Sequence, residues 1–217
     1  LIDCGAFQGK RAEADAKNRD FDVPCELLKA VILTHGHYDH CGLIPLLAVH
    51  GFEGNIYSTP ATRDIANLVM MDSARIQARD AEYLAKQAMK KGEAFNWTPL
   101  FCEADVIKIL NQFVTISYRR KTWLSPNVEL EFFDAGHILG SSIAVFTIID
   151  EGKETKIAFT GDLGRKGKAI IKDPDLLPPV DYIVLESTYG NRLHESQDNA
   201  LSILKDKVKR LVKTHGK

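Results

Sequence analysis

No two cysteines in this chain of 217 residues stand at C-x-x-C spacing; Cys4, Cys25, Cys41 and Cys102 are scattered. A disulfide scaffold is not expected from so few thiols in so long a chain. Four reduced cysteines in a cytoplasmic protein are the expectation. No run approaches the roughly 20 apolar residues of a membrane helix, and no secretory leader is recognisable, so no membrane partner is expected. An excess of charge is missing too: 28 basic residues face 29 acidic ones, for a net charge of −1. Global charge does not draw in a polyanion, so a nucleic acid would have to be held by local basic patches and metal. There is no internal repeat, and the chain opens on Leu1-Ile2-Asp3-Cys4-Gly5 without an initiator methionine. That opening reads as the inside of a strand, and a piece of a longer protein is expected.

What is present is an ordinary globular balance, 45% hydrophobic and 26% charged, which permits a real core. Residues 30–34 are apolar and β-branched, hence a buried strand. A short helix is expected over 41–50, with Pro45 in its first turn and Gly51 as its stop. Residues 55–58 form another strand. Thr59-Pro60 is an N-cap followed by proline at the first helical position, opening a helix to near Lys90 that Lys91-Gly92 stops. A second helix is expected over 103–111, and the block 61–111 is a candidate insertion or lid. Strands then dominate. Val128, Leu130 and Phe132 alternate with Glu129 and Glu131, the period-two mark of a half-buried strand. Further apolar runs cover 143–149, 156–159 and 182–185, and a helix is expected over 199–213.

Several apolar runs end in a ligand-type residue: Ile2 before Asp3, Leu33 before Thr34-His35, Phe133 before Asp134-Ala135-Gly136-His137, Phe159 before Thr160-Gly161-Asp162, and Leu185 before Glu186. Loops on a rigid scaffold are where sites are built. The strongest motif is His35-Gly36-His37-Tyr38-Asp39-His40. Imidazole and carboxylate both bind zinc, at roughly 2.0–2.2 Å. Alternate residues of an extended loop point opposite ways, which suits two ions, with His35 and His37 on one and Asp39 and His40 on the other. His137, beside this motif, is a further ligand, and the Asp162 carboxylate is placed to bridge. Ser141 and Ser142 are candidate phosphate donors. Arg119-Arg120-Lys121 and Arg165-Lys166-Gly167-Lys168 are candidate backbone-binding patches. Cys41 is read as a small buried hydrophobe.

The succession His35/His37/Asp39/His40, His137, Asp162 resembles the metal-binding motifs of the metallo-β-lactamase superfamily, with Asp3 matching its strand-end orienting aspartate. Glu186-Ser187-Thr188-Tyr189-Gly190 resembles the opening of its β-CASP branch, the RNA- and DNA-processing nucleases such as ribonuclease J. Phe7-Gln8-Gly9 and the stretch near 72–81 are similar to bacterial and archaeal members. The resemblance implies an α/β fold, an incomplete αββα sandwich with a helical insertion. Residues 1–190 would be the metallo-β-lactamase-fold domain without its first strands, and 191–217 the start of a β-CASP domain. It also implies two Zn²⁺ ions. The first is held by His35, His37, His137 and Asp162. The second is held by Asp39, His40 and Asp162 and lacks one ligand, because His194 and His215 do not match the later motifs.

The function so implied is zinc-dependent hydrolysis of RNA phosphodiesters, endo- or exonucleolytic, by a hydroxide shared between the ions. Asp39 would orient that hydroxide. Glu186 would hydrogen-bond a histidine outside this span, and Ser141, Ser142 and Arg165 would touch substrate. The expected partner is single-stranded RNA, with DNA as the alternative and a homodimer allowed. Two other readings remain open, a small-molecule metallo-hydrolase acting on thioesters or lactones and a non-catalytic scaffold. Metal analysis separates them. Zinc should be present in the wild type and lost from His37→Ala, with cutting of single-stranded RNA; a folded, metal-free wild type would leave only the scaffold.

Overall fold

A computed structural model describes residues 1–192 and 197–214. His194 and His215 lie outside the described residues. The chain divides into two compact units, Leu1–Glu186 and a second beginning at Ser187.

The first unit carries two sheets. β1 (Ala30–Ile32), β2 (Asn55–Ser58) and β3 (Phe113–Thr115) form a parallel sheet in that order. Ile2 bridges to Ile32 beside β1. Parallel neighbours need crossover connections, usually helical. Here α2 (Tyr38–Cys41) and α3 (Ile44–Val49) join β1 to β2, and α4 (Pro60–Lys91) and α5 (Glu103–Leu110) join β2 to β3. A first short helix, α1 (Arg11–Arg19), precedes them. The second sheet is β4 (Thr122–Ser125), β5 (Val128–Asp134), β6 (Ser142–Asp150), β7 (Lys153–Phe159) and β8 (Tyr182–Val184). It is antiparallel except for the parallel β7–β8 pair.

Alternation along each strand builds three apolar layers. Val31 and Leu33 pack with Ile44, Leu47, Met70, Val106 and Ile109 under the helices. Ile32 points the other way and meets Leu130, Phe132 and Ala144, so the two sheets face each other. Phe133, Ile143, Val145 and Ala158 form the outer face of the second sheet, covered by Leu163, Leu177 and Val180. The architecture is therefore helices, sheet, sheet and an irregular outer strap, an incomplete αββα sandwich.

Four sequence expectations change. The helix expected over 41–50 is two pieces, because the His40 carbonyl accepts from the Cys4 amide instead of continuing a helix. Asp39 and His40 sit on a helical turn, closed by the Cys41 amide on the His37 carbonyl and the Gly42 amide on the Tyr38 carbonyl, not in an extended loop. The block 61–111 is not a lid: Ala66, Met70 and Ala74 of α4 are core residues. Glu129 does not face water; it is buried and held by Lys121 at 2.9 Å. The apolar run 182–185 supplies β8 as expected, and that strand is an exposed edge, with Ile183 52% accessible. The predicted stops hold: the Thr59 side chain caps α4 by accepting from the Thr62 amide at 3.2 Å, and Gly92 ends it at φ 68°. In the second unit, α6 (Gln197–Thr214) presents Leu201, Leu204, Val208 and Leu211 at helical spacing, all exposed.

The strap is tied to the sheet at Asp175. Its carboxylate accepts from Arg119 at 2.7 Å and from the Asp134 amide at 3.0 Å, and its amide donates to the Asp134 carbonyl at 2.8 Å. The Arg119 guanidinium, aided by the Asp134 amide, holds the Asp175 carboxyl below its ordinary 3.8. A depressed carboxylate stabilises the fold fully above its unfolded pKa and loses that contribution as pH falls through the folded value. Asp175→Ala should therefore lower stability by about 1 kcal/mol at neutral pH. The difference from wild type should shrink below pH 3.8, as read by denaturant melts across pH; an unchanged difference in acid would exclude the ionised contact.

Candidate metal centre

The end of β1 delivers the first ligands. Thr34 and His35 are buried, and the chain continues extended through His37 before turning into α2. Asp3 fixes this segment. One of its oxygens accepts from the Thr34 amide at 2.7 Å; the other accepts from the Thr34 hydroxyl at 2.8 Å and faces His40 Nδ1 at 2.7 Å. A carboxylate at Nδ1 makes that nitrogen the donor and leaves Nε2 as a free lone pair, the usual outer partnership of a metal-binding histidine. Asp3 itself sits at φ 54°, a left-handed conformation that aspartate tolerates better than most residues.

The loop between β5 and β6 brings His137. Ser141 Oγ accepts from the His137 amide at 3.0 Å and the Ile138 amide at 3.3 Å. Thr59 and Thr62, at the start of α4, both donate to the Gly140 carbonyl at 2.7 Å. Gly140 has φ 84°, and a Cβ there would lie 2.5 Å from the Thr62 amide nitrogen, so only glycine lets the loop meet the helix end. Lys168 donates to the His137 carbonyl at 2.9 Å. The end of β7 brings Asp162. Glu186, after β8, accepts from the neighbouring Leu163 amide at 2.5 Å, and its own amide donates to Thr160 Oγ1 at 3.3 Å.

These loops converge. Ligand atoms of His35, His37, His137 and Asp162 all lie within 4.8 Å of one another. His37 Nδ1 is 3.0 Å from His35 Nε2 and 3.2 Å from His137 Nε2. Asp162 Oδ2 faces this group, 3.7 Å from His35 and 3.5 Å from His137. Its other oxygen lies 3.3 Å from His40 Nε2, which in turn is 4.0 Å from Asp39 Oδ2. Burial, followed by the neighbouring imidazoles, drives His35 down to about 2, so it is neutral at any ordinary pH. Burial also lowers His137. His40 moves the other way: its burial opposes the cation, but the Asp3 hydrogen bond and the surrounding carboxylates outweigh it. Imidazole nitrogens converging on one point, with a carboxylate beside them, are the donor set of a hard-to-borderline cation. The group fits a metal ion.

The structure thus brings together His35, His37, His137 and Asp162, and sets Asp39 and His40 beside them with Asp3 behind His40. A cleft of about 410 Å³ borders this second group, lined by Asp3, His40, Asp162 and Glu186 among others. Ser141 and Ser142 do not fit their expected role. Both are buried, and their hydroxyls hold the His137 loop and the Thr34 carbonyl, the latter at 3.0 Å, so they position the site and offer nothing to a phosphate. Arg165 is exposed two residues beyond Leu163. The thiol of Cys41 lies buried against the Gly36 carbonyl, its pKa pushed by burial up to about 12, as inert as expected. Sequence reasoning missed the positioning roles of Thr34 and Thr62, and it gave Thr59 only its N-cap role and Lys168 a place in a phosphate-binding patch, where the structure has it holding the His137 carbonyl. Their partners lie far off in the chain, and only the N-cap role of Thr59 had a local signature.

The sequence profile of the Metallo-beta-lactamase superfamily matches residues 1–215. The chain belongs to this superfamily. It is 32% identical over 219 residues to the "Transcription termination factor FttA" of Methanosarcina mazei, covering 97% of this chain and 32% of that protein. It is 32% identical to "Ribonuclease TTHA0252" of Thermus thermophilus, over 89% of this chain and 39% of that one. It is 34% identical to the FttA of Methanocaldococcus jannaschii, over 88% of this chain and 27% of that one. The chain thus spans about a third of the length of these relatives. Among solved structures, the metallo-β-lactamase fold protein YhfI from Bacillus subtilis aligns over 75% of this chain and 49% of its own, at 17% identity and TM-score 0.39. As a member of the superfamily, with the His/Asp cluster in place, the chain has a metallo-β-lactamase fold and a metal-binding site.

The Asp3 network sets a test. Asp3→Asn keeps size but cannot accept from both Thr34 and His40 as a carboxylate does. Loss of such an outer partner costs roughly 10–100-fold in metal affinity. Competition with a chromogenic chelator should show that loss while circular dichroism is unchanged; wild-type affinity would remove Asp3 from the site.

Proposed function

We propose that this chain carries the catalytic centre of a zinc-dependent nuclease of the β-CASP branch, one that cuts RNA phosphodiester bonds. The observation that supports it most is Asp162, whose two oxygens face two different ligand groups, His35 and His137 on one side and His40 on the other. A carboxylate so placed suits a two-ion site. His35, His37, His137 and Asp162 would hold one zinc; Asp39, His40 and Asp162 would hold the other. Zinc so held would supply Lewis acidity and an activated water to phosphoryl displacement. The chain's own residues do the rest. Asp3 holds His40 Nδ1 and so turns Nε2 toward Asp162, buried His35 stays neutral, and Glu186 fixes the Asp162 turn through the Leu163 amide. Asp39, with its side chain 53% exposed, is available to orient water.

The names of the relatives, a ribonuclease and transcription termination factors, favour a nucleic-acid substrate over a thioester or lactone. Single-stranded RNA is the proposed substrate, and residues from 191 onward are the proposed start of the β-CASP domain. Asp162→Asn should reduce bound zinc and lower RNA cleavage by more than the roughly 100-fold that an outer partner costs. Zinc content by plasma mass spectrometry and cleavage of end-labelled RNA measure this. Hydrolysis of a thioester with no cutting of RNA or DNA would replace the nuclease reading with a small-molecule one.

A further inference from the structure

Two basic runs differ in what their charges do. In the first, Arg119 is bound to Asp175 at 2.7 Å and Lys121 to Glu129 at 2.9 Å. Those cations serve the fold. In the second, residues 165–172, RKGKAIIK, hold four cations and no acid. Arg165 and Lys166 are exposed and make no ion pair among the described residues. The segment starts three residues after Asp162 and is pinned to the site twice. The Gly164 amide donates to the Ala135 carbonyl at 2.8 Å, and Lys168 donates to the His137 carbonyl. The Gly167 amide then closes the turn on Asp173 at 2.7 Å. The second half of the same segment walls a cavity of about 270 Å³ with Tyr118, Asp134, Leu139, Ile170 and Lys172, whose lining holds one acid, Asp134, and one cation, Lys172. Ile170 is 93% exposed and Leu139 63% exposed, so two aliphatic side chains stand in water at a cavity whose one lining cation is Lys172.

Cations next to an apolar seat, directly flanking a hydrolytic centre, match the alternation of phosphate and base in a single strand. We infer that residues 165–172 form a nucleotide subsite beside the metal centre. Arg165 and Lys166 hold backbone phosphates of single-stranded RNA, and the cavity behind Leu139 and Ile170 receives a base next to the bond that is cut. This rests on the nuclease reading above and adds the path the strand takes. Charge complementarity selects the occupant: an acidic strand fits the unpaired cations, whereas a protein surface would have to bring its own carboxylates.

The test is the salt dependence of binding. A labelled 2′-O-methyl oligouridylate is titrated with the wild type, with Arg165→Ala/Lys166→Ala, and with Lys90→Ala/Lys91→Ala. The last pair removes the same charge at the far end of α4, about 45 Å along that helix. Single-strand binding varies with log salt at about −0.7 per phosphate neutralised, so losing two contacts should flatten the slope by about 1.4. The Lys90/Lys91 variant should keep the wild-type slope. Ile170→Asp, which changes an exposed position and spares the core, should weaken binding at fixed salt. An unchanged slope in the Arg165/Lys166 variant, or an equal loss in the control, overturns the subsite. Hydrolysis of bis(p-nitrophenyl) phosphate by the zinc-loaded wild type reports the metal chemistry separately, because so small an ester does not need the segment. Activity on it with an unchanged slope sinks the subsite alone; no activity on it sinks the nuclease reading and with it the place of the subsite beside a scissile bond, whatever the slope.

Discussion

Lone pairs aimed at one point repel each other, and this protein aims several. His37 Nδ1 stands 3.0 Å from one neutral imidazole nitrogen and 3.2 Å from another, with a carboxylate oxygen alongside. A proton can relieve at most part of this crowding, since His37 Nδ1 faces two imidazole nitrogens at once, whereas a cation among the donors satisfies them together. The surrounding fold has to hold it in place. Half-buried hydrogen bonds do so from three sides: Asp3 with Thr34 and His40, Ser141 with the His137 loop, and Glu186 with the Asp162 turn. Each satisfies backbone groups that would otherwise be orphaned in the interior. The same bonds thus keep loops folded and ligands aimed.

Position in the sandwich explains why these loops can meet. β1 belongs to one sheet and β5, β6 and β7 to the other, and the sheets close on Ile32, Leu130, Phe132 and Ala144. The strand ends carrying His35, His137 and Asp162 are thereby brought to one edge. The start of α4 reinforces it, since Thr59 and Thr62 grip the Gly140 carbonyl and make the helix a brace for the His137 loop. Cores packed to crystal-like density transmit little slack, which is what a site with sub-ångström tolerance requires.

Much of this was legible beforehand. The His35–His40 motif, His137 and Asp162 each follow an apolar strand, a pattern local enough to read directly. The α4 cap and stop were legible for the same reason, since Thr59-Pro60 and Lys91-Gly92 act on their own neighbours. The failures share the opposite property. Ser141 and Ser142 looked like phosphate donors until their hydroxyls were found committed within the interior. Glu129 looked solvent-facing until Lys121 was found across the strand pair. The end of the helical turn at Asp39 and His40 depends on Cys4, more than thirty residues earlier, whose amide takes the His40 carbonyl.

The sequence by itself determined the donor chemistry, because imidazole and carboxylate are properties of residue types, and it determined the strand and helix periods, because those repeat within a few residues. Tertiary structure alone decided which oxygen of Asp162 faces which histidines, and which arginines and lysines are neutralised. Arg119 and Arg165 are the same side chain in similar basic runs. One is cancelled by Asp175, 56 residues away, and the other is not. Charge and lone-pair interactions act through space over a few ångströms, and that separation is not encoded in any local pattern.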